Sequence, residues 1–208
     1  MKTIIYLIRN AKELTRDAIN EYNVKEAKYI THEKQVLSSS GEAKAKELAS
    51  NEELEYVNVI YSSHFVSSIS TAKYLAENLN IPINVDERLG ERKLMNVEKN
   101  DMKMFLYSQE NDFDYKMNGS ESINEVKKRF TNAFDAILFT HAGKEVAIFT
   151  HEKAIIAFLL NFCTPEYNLD DELILTFNDL NIDTRLESPD CFKLIFESKE
   201  LVSIERIS

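Results

Sequence analysis

Ile4-Ile5-Tyr6-Leu7-Ile8-Arg9-Asn10-Ala11 opens on an unbroken apolar run and then turns abruptly polar. β-Branched and aromatic residues without strict alternation are the pattern of a strand buried on both faces of a parallel sheet. Two further runs read the same way, Val57–Tyr61 and Val146–Phe149. Each is again followed by polar residues, Ser62-Ser63-His64 and Thr150-His151-Glu152. Ligands of open α/β sheets sit beyond the carboxyl ends of the strands, where helix N-termini also point. A basic residue, a hydroxyl cluster and a histidine at three strand ends therefore point to an anion site.

Helical patterns separate the runs. Glu42 to Ala49 follows a capping-box pair, Ser39 with Glu42, and Ser67 to Leu79 ends before Pro82. Ser122 to Leu138 carries the apolar stripe Ile123, Val126, Phe130, Ala133, Phe134 and Ile137, and Ser122 with Glu125 forms a second capping box. Ala154 to Phe162 is apolar nearly all round, which predicts a buried helix. The tail, Leu173 to Ile207, alternates like strands around turns at Asp190 and Lys199-Glu200, and predicts antiparallel pairing at one sheet edge. The predicted fold is one α/β domain over residues 1–208, a three-layer α/β/α arrangement on a mainly parallel sheet with a strand-rich tail. A small lid insertion is expected around 92–118. Within it Met102 to Tyr115 reads as a lid over the pocket or, as the plainer account, as a helix packed on the core.

Composition narrows the function. The chain has 208 residues, 44% of them hydrophobic and 29% charged, with a net charge of −10, so a clustered basic face for nucleic acid is not expected. A locally positive pocket for a small anion remains compatible with that charge. The apolar run from Thr3 to Ile8 is too short for a membrane span or a signal core, and no membrane partner is expected. Cys163 and Cys191 are far apart and read as buried thiols of a reducing compartment, which points to the cytoplasm. No metal-ligand spacing, Gly-rich phosphate loop or nucleotide fingerprint is present, so no metal and no cofactor are expected.

Taken in order, six segments resemble motifs of the histidine phosphatase superfamily, the phosphoglycerate-mutase-like proteins. Ile5-Tyr6-Leu7-Ile8-Arg9-Asn10-Ala11 is similar to the first strand ending in Arg-His-Gly, and Leu37 to Ala45 to the Leu-Thr-x-x-Gly-x-x-Gln-Ala helix start. Tyr61 to Ala72 resembles Ser-Ser-Pro-Leu-x-Arg-Ala-x-Gln-Thr-Ala, and Asp86 to Arg92 the Arg-Leu-x-Glu segment. Gly119-Ser120-Glu121-Ser122 with Glu125-Val126 resembles Gly-Gly-Glu-Ser-x-x-Glu-Val, and Ile148 to His151 the second-histidine strand.

The resemblance implies a phosphoryl-binding site. Arg9 matches the first arginine, His151 the second histidine and Glu91 the proton-donating carboxylate, while Asn10 stands at the nucleophilic histidine and Ser67 at the second arginine. Phosphate-binding candidates are thus Arg9, Asn10, Ser62, Ser67 and His151, and residual catalytic candidates are His151 and Glu91. Glu152 follows His151 where the family has glycine, and puts a negative charge beside an anion site. An amide nitrogen has a delocalised lone pair and does not attack phosphorus as an imidazole does. The expected protein is therefore a divergent member, a pseudoenzyme binding a phosphorylated small molecule, partner or phosphate-type anion with catalysis lost or strongly impaired.

Two rivals stay open on sequence alone. One is an atypical phosphomonoesterase using His151 or His64; the other is a non-catalytic scaffold or regulatory protein. Glu91 reads equally well as a solvated carboxylate, and Ser62, Ser63 and Ser67 read also as caps of the following helix. His64 reads first as a loop histidine. Lys12 and Arg16 read first as solvated cations. The sequence does not specify oligomeric state.

Overall fold

The computed structural model describes residues 1–14, 32–95, 97, 100–170 and 172–207. Arg16 lies outside the described residues. The first apolar run is β1 (Lys2–Arg9), and the later ones are β2 (Val59–Ser62) and β4 (Glu145–Thr150); the short β3 (Ile83–Val85) joins them. β8 (Asp190–Glu197) and β9 (Glu200–Ile207) come from the tail, and the sheet runs β3-β2-β4-β1-β8-β9. Its first four strands are parallel, and β8 and β9 add antiparallel at the edge beside β1. Three further strands, β5 (Thr164–Tyr167), β6 (Leu173–Phe177) and β7 (Leu180–Asp183), make a separate antiparallel sheet.

Period-two geometry sends successive β1 side chains to opposite faces. Ile5 and Leu7 join Val146 and Ile148 in one core, and Tyr6 and Ile8 join Ala147 and Phe149 in another. The first core is covered by α4 (Ile123–Thr140) and α5 (Glu152–Leu159). The second is covered by α1 (Ser39–Ala49) and α2 (Val66–Leu79), through Ala49, Ala72 and Leu75. Apolar surface on both faces explains why the runs show no polar alternation. The result is the three-layer α/β/α arrangement on a mainly parallel sheet.

Helix starts refine the reading. The Ser122–Glu125 capping box forms in both directions at α4. At α1 the cap is Ser38 rather than Ser39: its hydroxyl accepts the Gly41 N–H while its own N–H donates to Lys12 O at 2.9 Å. That contact brings the loop after β1 so close that a Cβ on Gly41 would collide with the Lys12 carbonyl oxygen. Neither Ser62, Ser63 nor Ser67 caps α2, whose N-cap is Phe65 without a side-chain bond. Asp190 heads β8 instead of lying in a turn, and the β8–β9 turn falls at Ser198 and Lys199, both with positive φ. The segment after Glu91 forms α3 (Met102–Asn111), which buries Phe105 and Gln109 and exposes Met104 and Tyr107.

Candidate functional site

Parallel register assembles the strand ends. Arg9 pairs with Thr150 and Ser62 with Phe149, so the chain leaves β1, β2 and β4 at one level. Backbone bonds carry the alignment one residue further: Asn10 N–H donates to Thr150 O at 2.8 Å and Ser63 N–H to Phe149 O at 3.0 Å. There a cavity of about 310 Å³ is lined by Arg9, Asn10, Lys12, Glu13, His32, Glu91, His151, Glu152 and Ser188.

The predicted candidates divide. Arg9, Asn10, Glu91 and His151 line this cavity, and Ser62 and Ser67 do not. Ser62 Oγ donates to Ser63 O at 2.9 Å and lies 2.9 Å from Ser68 Oγ, inside the packing of α2 on the sheet. Ser67 is fully buried and its hydroxyl has no hydrogen-bond partner. Ser62 follows strand direction, since successive side chains along a strand point to opposite faces.

Ser63, which does not line the cavity either, is the serine that meets His151. Its Oγ lies 2.7 Å from His151 Nε2, and both side chains are buried. The Phe65 N–H donates to the same Oγ at 3.4 Å. The 2.7 Å contact occupies Nε2 in either tautomer, with the ring nitrogen accepting from the hydroxyl or donating to it. Burial pushes His151 down to about 3, against the opposing pull of Glu91, and the ring is neutral at physiological pH.

Glu91 is held by main-chain donors. Its Oε1 accepts Arg92 N–H at 2.7 Å and its Oε2 accepts Lys153 N–H at 3.2 Å, the latter from the first turn of α5. Burial raises this carboxyl, but His151, Arg92 and the two N–H bonds together hold it below the ordinary carboxylate value. The turn carrying Glu91 is fastened by Arg129 of α4, which donates to the carbonyls of Arg88, Gly90 and Glu91 and pairs with Glu121 at 2.8 Å.

Arg9 is already engaged. Its Nη1 donates to the Leu186 and Glu187 carbonyls and lies 2.8 Å from Glu152 Oε2. Asn10 Nδ2 donates to Ala11 O at 3.1 Å and to Glu13 Oε1 at 3.4 Å, and Ser188 Oγ donates to Asn10 O at 2.8 Å. His64 lies on the neighbouring cavity, about 370 Å³, where its Nε2 meets Glu33 at 3.1 Å. Glu13, His32, Ser63 and Ser188 were not among the predicted site residues. Ser188 and His32 reach the cavity by long-range folding and carry no local signal; Ser63 was quoted in its motif but read there as a cap.

Among the described residues no group of three or more His, Cys, Asp or Glu side chains could hold a metal ion, and no helix is long and apolar enough to cross a membrane.

A mainly parallel sheet with a polar cavity beyond the ends of β1 and β4 is the arrangement of ligand-binding open α/β proteins. The chain matches the histidine phosphatase superfamily (branch 1) over residues 6–176, and it belongs to that family. Solved structures agree at the level of the fold. Bacillus stearothermophilus YhfR is 19% identical with a TM-score of 0.69, covering 96% of this chain and 94% of its own. A mycobacterial glucosyl-3-phosphoglycerate phosphatase in complex with inorganic phosphate is 16% identical with a TM-score of 0.67, covering 99% and 95%. A phosphoglycerate mutase from Bacillus anthracis is 13% identical with a TM-score of 0.67, covering 99% and 92%. No curated protein matches the sequence.

Proposed function

We propose that this chain binds a phosphorylated small molecule, or a phosphate-type anion, in the cavity of Arg9, Asn10 and His151, and has lost most or all phosphoryl-transfer activity. The observation that carries the reading is Asn10 at the end of β1, in the place the family motif gives to the nucleophile, with its amide spent on Ala11 O and Glu13. An amide there hydrogen-bonds an anion but forms no phosphoenzyme. In a well-studied triad enzyme, removing the nucleophile costs on the order of 10⁶ in turnover. Ser67, in the second arginine's place, offers no charge and is sealed from the cavity. A missing charge-assisted bond costs roughly 1.5–3 kcal/mol, about 10- to 100-fold in affinity.

That the mycobacterial relative holds inorganic phosphate supports the ligand class. The rival reading, with His151 or His64 as nucleophile, is weaker. His151 Nε2 is engaged by Ser63 and the ring is buried, while His64 faces Glu33 on the neighbouring cavity.

Thermal denaturation with inorganic phosphate and a panel of phosphomonoesters tests the binding claim. The expected result is a raised Tm with at least one of them, lost in Arg9→Met. If none shifts the Tm, the cavity is not an anion site and the scaffold reading replaces this one.

A further inference from the structure

The cavity is not balanced for a simple phosphomonoester. Arg9, its half-buried cation, already has a counter-anion in Glu152 Oε2 at 2.8 Å, and the other Glu152 oxygen lies 3.5 Å from Lys153 Nζ. Lys153 Nζ in turn faces Glu110 at 3.8 Å. Across the cavity Glu13 accepts from Asn10 Nδ2 at 3.4 Å and stands 3.8 Å from His32 Nε2. Glu91 is held in its ionised form and His151 is neutral. Among the described lining residues, the carboxylates Glu13, Glu91 and Glu152 therefore face the permanent cations Arg9 and Lys12, and Lys12 is exposed.

A phosphate dianion placed against Arg9 meets the Glu152 carboxylate on the same guanidinium. Like charges sharing a partly desolvated site repel. Either the ligand expels Glu152 and leaves it to Lys153, or the ligand carries its own positive charge to meet the carboxylates. The second course keeps the Arg9–Glu152 pair and sets a positive charge beside the carboxylates.

We infer that the cavity selects amine-bearing phosphomonoesters, with the phosphate towards Arg9, Asn10 and His151, the ammonium towards the Glu13 and Glu152 carboxylates, and Glu152 as the specificity-determining residue. This rests on the reading of the cavity as a phosphate site. It differs from that reading in predicting discrimination between two phosphates of the same size.

The test is calorimetric titration with O-phosphoethanolamine and with 2-hydroxyethyl phosphate, which has a hydroxyl where the first has an ammonium. Both are run on the natural chain and on Glu152→Gln. The natural chain is expected to bind the amine about tenfold more tightly, a difference of about 1.4 kcal/mol, and Glu152→Gln to bring the two within about twofold. Equal binding by the natural chain, or a preference that survives in Glu152→Gln, overturns the inference and leaves the phosphate site standing. If neither compound binds, the phosphate reading falls with it.

Discussion

Phe65 is ringed by imidazoles: His151 at 4.4 Å between centroids, His64 at 4.8 Å and His32 at 5.4 Å. The ring wall keeps water from His151, and Ser63 satisfies its Nε2, which is how a neutral histidine is held beside Glu91. A buried histidine that must charge on unfolding makes stability depend on pH. Its folded value, about 3, lies below the ordinary 6.5, so between those limits the unfolded chain binds more protons. Stability therefore falls as the pH drops from 6.5 towards 3, by up to about 1.4 kcal/mol per pH unit from this residue. Urea denaturation at several pH values should show a shallower slope over this interval in His151→Gln than in the natural chain. An unchanged slope would mean that His151 already charges in the folded protein.

At the scale of elements, α4 is held from both ends of its logic: an apolar stripe on one side and a reciprocal cap at its start. Ser122→Ala removes the hydroxyl that accepts the Glu125 N–H and should cost about 1 kcal/mol in chemical denaturation, with the fold retained. The sequence states this helix openly because the stripe and the cap coincide. Elsewhere local signals compete. Ser38, Ser39 and Ser40 all fit a cap, and the bonds from Ser38 to the loop after β1 decide among them. β3 is too short to show a pattern, and β5 to β7 separate from the main sheet for reasons that lie in tertiary pairing. The parallel core strands were legible because burial on both faces strips them of polar residues. Side-chain direction at their ends was not: Ser62 and Ser63 are chemically alike, and only geometry shows which of them meets His151.

Over the whole molecule, distant segments converge on Arg9. The turn at Leu186 to Ser188 supplies two carbonyls to its guanidinium and a hydroxyl to Asn10 O, and Asp190 just beyond is clasped by Arg206 at 2.7 and 2.9 Å. The tail strands that carried no motif thus set one wall of the cavity. Glu152, readable in the sequence as an intruding charge, proves to be Arg9's partner, a relation that needs the β4–α5 junction beside β1. On the proposed function, the family fold and an anion cavity persist in this chain without the phosphoryl-accepting group. Phosphatase turnover on a panel of phosphomonoesters, for the natural chain and for Asn10→His combined with Ser67→Arg, tests it most directly. A silent natural chain and a gain of activity in the double variant are expected; turnover by the natural chain that disappears on changing His151 or Arg9 would contradict the proposed loss of catalysis.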